Sequence, residues 1–298
     1  MTVIGDIAPP ESDELLTVVG PTASGKTALA MRLAERFDGE IVGADSVQIY
    51  RLFDAGSGKP TAEERARVPH HLVDLVDPLD PFDAARFVNL ADQAIAEVRK
   101  RGRCPILCGG TFLWVKALLK GLVPSAPADA ALRARYAKLA EENGRAALHE
   151  QLRRVDPDSA ARLAPNDLVR VSRALEVYEL TGKPQAAWHA EHQFKTVRHK
   201  ARLLGVERSR EQIDERIALR SRQWLDDHWI DEVRDLLEHG YGEARAMSSV
   251  GYQQVQDYLA GDLQADQLHE AVVRVTRKLV RRQRTWLRDE PVCWVAPD

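Results

Sequence analysis

Gly20-Pro21-Thr22-Ala23-Ser24-Gly25-Lys26-Thr27 fits the pattern G-x-x-x-x-G-K-[ST] and separates a short apolar run from a helical pattern. The run, Leu15 to Val19, is β-branched at its end and reads as a strand, and the spacing after the loop predicts a helix from Lys26 to about Phe37. In a strand, loop and helix of this kind the glycines let the backbone turn tightly, so that its N–H groups and the helix N-terminus surround phosphate oxygens. Lys26 adds a mobile charge, and the Thr27 hydroxyl can ligate Mg²⁺. The loop implies a polyphosphate ligand without naming it, with a nucleoside triphosphate as the default. A later stretch, Gly56-Ser57-Gly58-Lys59-Pro60-Thr61, copies part of the pattern. It has no strand before it and a proline after the lysine, so it reads as an ordinary turn.

Outward from the loop the elements alternate. A second short strand, Glu40 to Ala44, ends at Asp45; a long amphipathic helix from about Ala84 to Arg101 closes at Gly102; Cys104 to Cys108 reads as a buried strand; and Gly109-Gly110-Thr111 leads into a helix reaching Leu122. Such alternation predicts an α/β fold, a P-loop NTPase-like parallel sheet flanked by helices. The texture changes at Val123-Pro124-Ser125-Ala126-Pro127. From Asp129 to about Phe194 the pattern is helical throughout, an all-helical insertion. The expected division is residues 1–123 with 196–298 as the core and 124–195 as the insertion. A strand then returns over Ala201 to Glu207, followed by helical segments from about Arg210 to His239, Gly251 to Leu259 and Ala265 to Arg288. Val292 to Val295 is expected as an edge strand.

With 298 residues and 44% hydrophobic content, the chain can bury a sizeable core, and its net charge of −3 restricts any nucleic-acid site to a local basic surface. Cys104, Cys108 and Cys293 are too few and too badly spaced for a disulfide framework, which fits a reducing cytoplasm. No apolar run has signal-peptide or membrane-spanning length. His70 and His71 are adjacent, with Asp74 and Asp77 nearby, but neighbouring side chains on a regular element point apart, against a metal site.

From Ala271 to Arg288 the chain carries Arg274, Arg277, Lys278, Arg281, Arg282, Arg284 and Arg288 without a single Asp or Glu. At about 100° per residue all of these but Arg282 share half of a helix, while Val272, Val275, Leu279 and Trp286 fall opposite and are expected to dock. A one-signed stripe suits phosphate-backbone contacts that give affinity without reading bases.

The phosphate loop, Ala44-Asp45-Ser46-Val47-Gln48-Ile49-Tyr50, Gly109-Gly110-Thr111, Ser172-Arg173-Ala174-Leu175-Glu176-Val177, Val250-Gly251-Tyr252 and Arg282-Gln283-Arg284-Thr285-Trp286 occur in an order that resembles the bacterial tRNA dimethylallyltransferase family. The match runs from about Leu15 to Trp294. It implies a phosphate loop, Gly20 to Thr27, that holds the diphosphate of dimethylallyl diphosphate with Mg²⁺. It implies an acceptor at N6 of adenosine 37, in the anticodon stem-loop of tRNAs reading codons that start with U.

By the same resemblance Asp45 accepts the N6 proton, although a carboxylate there could also cap a turn or assist Mg²⁺. Thr22 lies near the diphosphate, and Arg216 or, preferably, Arg220 grips it; the pair could also be a solvated helix face. Positions matching tRNA contacts are Asp45, Ser46, Val47, Gln48, Thr111 and Arg133; Val169, Arg170, Val171, Ser172 and Arg173; Ser248, Ser249, Val250, Gly251, Tyr252 and Gln253; and Arg281, Arg282, Gln283, Arg284 and Arg288. Gln253 stands where the family often has Lys or Arg. Gly110-Thr111-Phe112-Leu113-Trp114 replaces the usual Gly-Thr-Gly-Leu-Tyr, which predicts a reshaped prenyl channel. A cytoplasmic monomer is expected. The rival readings are a P-loop kinase, a non-catalytic RNA-binding module with a relict P-loop, and a prenyltransferase acting on free adenylate.

Overall fold

The computed structural model describes residues 2–124 and 126–297. The chain divides into a core, Met1–Leu119 with Arg198–Asp298, and a helical unit, Lys120–Val197. These bounds lie a few residues outside those expected for the insertion, and Ser125 of the boundary loop lies outside the described residues.

In the core the chain runs β1 (Glu14–Val19), α1 (Lys26–Arg36), β2 (Gly39–Gly43), α2 (Ala62–Arg67), β3 (His70–His71), α3 (Ala84–Lys100), β4 (Cys104–Gly109) and α4 (Phe112–Lys120). The helical unit follows with α5 (Ala130–Asn143), α6 (Arg145–Val155), α7 (Pro157–Arg162), α8 (Leu168–Thr181) and α9 (Gln185–His192). The core resumes with β5 (Lys200–Val206), α10 (Arg210–Asp226), α11 (Trp229–Glu238), α12 (Tyr252–Leu259), α13 (Ala265–Leu287) and β6 (Val292–Val295). The strands form one sheet in the order β3-β2-β4-β1-β5-β6, every pairing parallel. β1 and β2 are buried almost end to end, as strands covered on both faces must be, which explains why they read as apolar runs without alternation.

Two expectations are corrected. The segment from Arg210 to His239 is two helices, broken at Asp227 and His228, because Trp229 turns inward and becomes the largest fully buried side chain. On α13 Val272 is buried as expected, but the rest of the buried face is Val273, Thr276, Val280, Gln283 and Leu287, whereas Trp286 is 45% exposed and Val275 and Leu279 are half-buried. Gln283 takes the inward place because two backbone groups satisfy its amide.

Two polar clusters brace the core. Glu40, at the start of β2, is buried and receives Arg101, Arg103 and His71. Burial alone would raise its pKa, but the hydrogen bonds from Arg101 and His71 outweigh it and hold the carboxyl at about 2, against an ordinary 4.5. A depressed folded-state value stabilises fully above the unfolded value and is lost as pH falls from 4.5 toward 2. Glu40→Gln is expected to melt lower at pH 7, and the difference from the parent should shrink through that window in thermal melts. His71 is thus a structural partner, and among the described residues no cluster of His, Cys, Asp or Glu could hold a metal ion.

The second cluster closes the neck of the excursion: Arg198 donates from N and Nη1 to the Leu119 and Leu118 carbonyls, and Asp92 takes both Arg198 and His199.

The helical unit has its own apolar core, including Tyr136, Leu148, Leu152, Val171 and Leu175. The fully buried carboxylate of Glu176 receives the Asp129 N–H, Arg133 and Arg173. These hydrogen bonds and charges overcome burial and keep Glu176 ionised. No described helix is long and apolar enough to cross a membrane.

Candidate active site

The carboxyl ends of β1, β2 and β4 lie side by side, so the loops that follow them converge at one edge of the sheet, where open α/β sheets bind ligands. The loop after β1 is held from behind. Its carbonyls at Ala23 and Ser24 accept Nε–H of Arg216 (2.8 Å) and of Arg208 (2.9 Å), and Ala23 takes a left-handed φ of 64°. Gln283 bridges the front, its Oε1 accepting the Thr22 N–H and its Nε2 donating to the Gly110 carbonyl, both at 2.9 Å. The loop's shape is thereby set by three side chains far away in sequence.

The loops after β1, β2 and β4 border a cleft of 410 Å³ with Thr22, Lys26, Thr27, Asp45 and Arg220 on its polar wall. Burial pulls the Lys26 pKa below that of an ordinary lysine, while the negative charge of Asp45 pulls it back. Arg220 is packed with its guanidinium 4.5 Å from the Trp224 ring centre, and its Nη2 donates to the Thr22 hydroxyl at 2.6 Å. Burial, then repulsion from Arg216, brings the Arg220 pKa down to about 10, so it stays charged at neutral pH. Arg220 lines the cleft; Arg216 spends its Nε on the Ala23 carbonyl instead.

Asp45 divides its two oxygens. Oδ1 accepts the Val47 N–H at 2.9 Å and the Gln48 N–H at 3.3 Å, which locks the carboxylate into its turn, while Oδ2 has no hydrogen-bond partner among the described residues. The same turn is tied to the start of α4, where the Thr111 hydroxyl accepts the Ser46 N–H. Gly109 is required here: a Cβ would lie 2.1 Å from the Ala44 carbonyl oxygen, so no side chain fits where the turns after β2 and β4 touch.

On the opposite wall residues 56–58 and Trp229 are the part the sequence concealed. Gly56, Ser57 and Gly58 line the cleft, so the supposed ordinary turn is part of the site. Gln48 donates from Nε2 to the Ser57 and Gly58 carbonyls. Lys59 is buried and places its three protons on the Tyr50 carbonyl, Asp54 and Asp74. Glu232 accepts the Asp54 and Ala55 N–H groups and the Tyr252 hydroxyl. Trp229 is packed between Gly56 and Gly251, either of whose added Cβ atoms would sit 2.1 Å from its ring. Gly251 also has φ +93°, so the Val250-Gly251-Tyr252 segment needs glycine twice over. Ser248, Ser249, Val250 and Tyr252 border this wall, while Gln253 turns outward to Asp257.

The remaining expected contacts fall into distinct settings. Arg281 and Arg282 on α13 are exposed, as is Arg288 just past its end, and Arg284 is half-buried. Gln283 is only 7% exposed, lines the cleft and has both ends of its amide engaged, so it acts as a strut of the phosphate loop. In the helical unit Val169 and Arg170 are exposed, Val171 and Ser172 are buried, and Arg133 and Arg173 are engaged by Glu176. Phe112 and Trp114, expected to reshape a prenyl channel, lie at the start of α4. Neither borders the cleft, and Trp114 is a core residue stacked on Phe87 at 4.7 Å.

Comparison with known proteins bears directly on this geometry. The chain is 65% identical over 290 residues to a tRNA dimethylallyltransferase of Sorangium cellulosum (strain So ce56), spanning 97% of this chain and 92% of that one. It is 45% identical over 284 residues to a tRNA dimethylallyltransferase of Geobacter sulfurreducens, spanning 95% and 91%. Among solved structures, the full-length tRNA isopentenylpyrophosphate transferase from Bacillus halodurans matches with a TM-score of 0.70 at 35% identity, over 95% of this chain and 90% of that chain. A eukaryotic dimethylallyltransferase acting on tRNA matches with a TM-score of 0.80 at 25% identity, over 95% and 74%. The family profile described as IPP transferase covers residues 48–290. Phosphate loop, facing carboxylate and near full-length similarity agree, and the chain belongs to the IPP transferase family.

Proposed function

We propose that this protein is a tRNA dimethylallyltransferase, moving the dimethylallyl group of dimethylallyl diphosphate onto N6 of adenosine 37 in the anticodon stem-loop of tRNAs that read codons starting with U. The observation that carries the reading is Asp45, which lines the same cleft as Lys26, Thr27 and Arg220 and whose Oδ2 has no hydrogen-bond partner among the described residues. In the reaction the N6 lone pair forms a bond to C1 of the prenyl group as the bond from C1 to the diphosphate oxygen breaks. The electron pair leaves on diphosphate, and the N6 proton passes to Asp45.

An exocyclic amine is a weak nucleophile, so a carboxylate already fixed through its other oxygen both orients it and removes its proton. Lys26, Arg220 and the loop N–H groups face the oxygens on which charge develops. The protein offers the Thr27 hydroxyl and, among the described residues, no acidic cage, a donor set that fits Mg²⁺ bound largely through substrate phosphate and water. Mg²⁺ bound there would add positive charge against the leaving diphosphate. Three free thiols go with a cytoplasmic enzyme, and we read the working form as a monomer.

The test combines purified protein, Mg²⁺, radiolabelled dimethylallyl diphosphate and unmodified tRNA, run beside AMP and ATP as acceptors. Label is expected in tRNA, at N6 of the adenosine 3′ of the anticodon. Label in AMP and not tRNA would overturn the acceptor, and label in neither would remove prenyl transfer.

A further inference from the structure

Two arcs of contacts lead around the cleft from the phosphate loop to Asp45, and they differ in chemistry. One runs from the Thr22 N–H through the Gln283 amide to the Gly110 carbonyl, and from the Thr111 hydroxyl to the Ser46 N–H beside Asp45. It is polar throughout. The other runs from the Thr22 hydroxyl to the Arg220 guanidinium and the Trp224 ring, then to Gly58, whose carbonyl accepts Nε2 of Gln48 in the turn that Asp45 holds. Its middle is glycine backbone and indole, since Gly56, Gly58, Trp224 and Trp229 all line the cleft.

Trp224 is half-buried and has little freedom on this arc. Arg220 and Trp224 are one turn apart on α10, so guanidinium and indole share a face of the helix. The indole meets Trp229 edge to face, ring centres 5.7 Å apart, and Trp229 is itself fully buried between Gly56 and Gly251. A Cβ on Gly58 would lie 3.2 Å from Cη2 of Trp224, and Gly58 has φ +64°, so the backbone passes this close to the ring in a conformation that favours glycine. The ring is therefore held from three directions.

In the transfer, C1 of the prenyl group stands between the diphosphate at Arg220 and the amine at Asp45, and its other carbons must lie against one arc. The first arc presents hydroxyl and amide groups that water solvates better than hydrocarbon does. The second presents apolar surface, where burial of the prenyl methyl groups is favourable. We propose that Trp224 is the specificity-determining residue for the prenyl group: the dimethylallyl carbons pack on its indole, and the same fixed ring excludes the next longer allylic diphosphate, geranyl diphosphate. The inference rests on the reading of the protein as a tRNA prenyltransferase.

The test compares dimethylallyl and geranyl diphosphates as donors to unmodified tRNA, as the ratio of their kcat/KM values. The unaltered protein should use the geranyl donor poorly. Trp224→Ala should shift the ratio toward geranyl by about tenfold or more, because hydrophobic pockets discriminate by roughly 10–200-fold for a single methylene. Loss of the stack on Arg220 slows both donors alike and cancels in the ratio. Trp224→Phe keeps a ring beside Arg220 and should give a smaller shift in the same direction, which serves if the alanine variant does not fold. An unchanged ratio in the folded variants would overturn the proposal, as would equal use of both donors by the unaltered protein. A higher KM for tRNA at constant ratio would also overturn it, and would make the indole a stacking surface for the target base. Failure of the underlying reading would show separately, as no transfer of either group to tRNA by the unaltered protein.

Discussion

Asp45→Asn is expected to lower kcat for tRNA prenylation by roughly 10²–10⁴-fold, the usual contribution of a positioned general base, while the Kd for tRNA stays within about twofold. The asparagine oxygen can still accept the Val47 and Gln48 N–H groups, so the turn after β2 and its tie to Thr111 should survive. At the position of Oδ2 an NH₂ donor would instead face the donor N6, and the proton would have no acceptor. Asp45→Ala removes both functions and should add a loss of thermal stability to the same loss of rate. Single-turnover transfer and filter binding on the same preparations separate the roles: equal losses in rate and affinity for the asparagine variant would make Asp45 a binding residue.

The second large effect is expected at Arg220. Arg220→Gln should reduce kcat by roughly 10²–10³-fold, as removal of a buried donor from a developing anion does, and should raise the KM for dimethylallyl diphosphate. Arg220→Lys should recover little. An ammonium lacks the planar group with which the guanidinium sits over Trp224 while donating to Thr22. Burial and Arg216 already draw the arginine down to about 10, and a lysine begins lower, so the same surroundings would carry it toward neutrality. The lysine variant should therefore lose activity as pH rises. Full activity with an unchanged pH profile would exclude Arg220 from the leaving-group site.

The polar half of the cleft was legible because it is local. A strand, a glycine loop and a helix in sequence make the phosphate loop, and the strand ending before Asp45 places that residue at the same sheet edge. In the other half the resemblance pointed to the segment 248–252, but residues 54–58, Trp229 and Glu232 were not legible, because their contacts join distant segments: Asp54 and Ala55 to Glu232, and Gly56 and Gly251 to Trp229. A two-residue strand such as β3 carries no periodicity, and it forms because β2 offers it an edge. On α13 hydrophobicity favoured burying Trp286, but the Thr22 N–H and Gly110 carbonyl needed partners, and Gln283 supplied both.

The wall formed by residues 54–58 has a consequence for how an encounter proceeds. Lys59 has no proton left to give, and Glu232 holds two successive amides, so this segment is already as ordered as a ligand would need it to be. A loose loop would forfeit about 1–2 kcal/mol per residue on becoming fixed, and that loss would be subtracted from affinity. Here the mould is finished before anything arrives. Rearrangement then belongs to the incoming RNA, whose loop must release a base, and association should be paced by the nucleic acid.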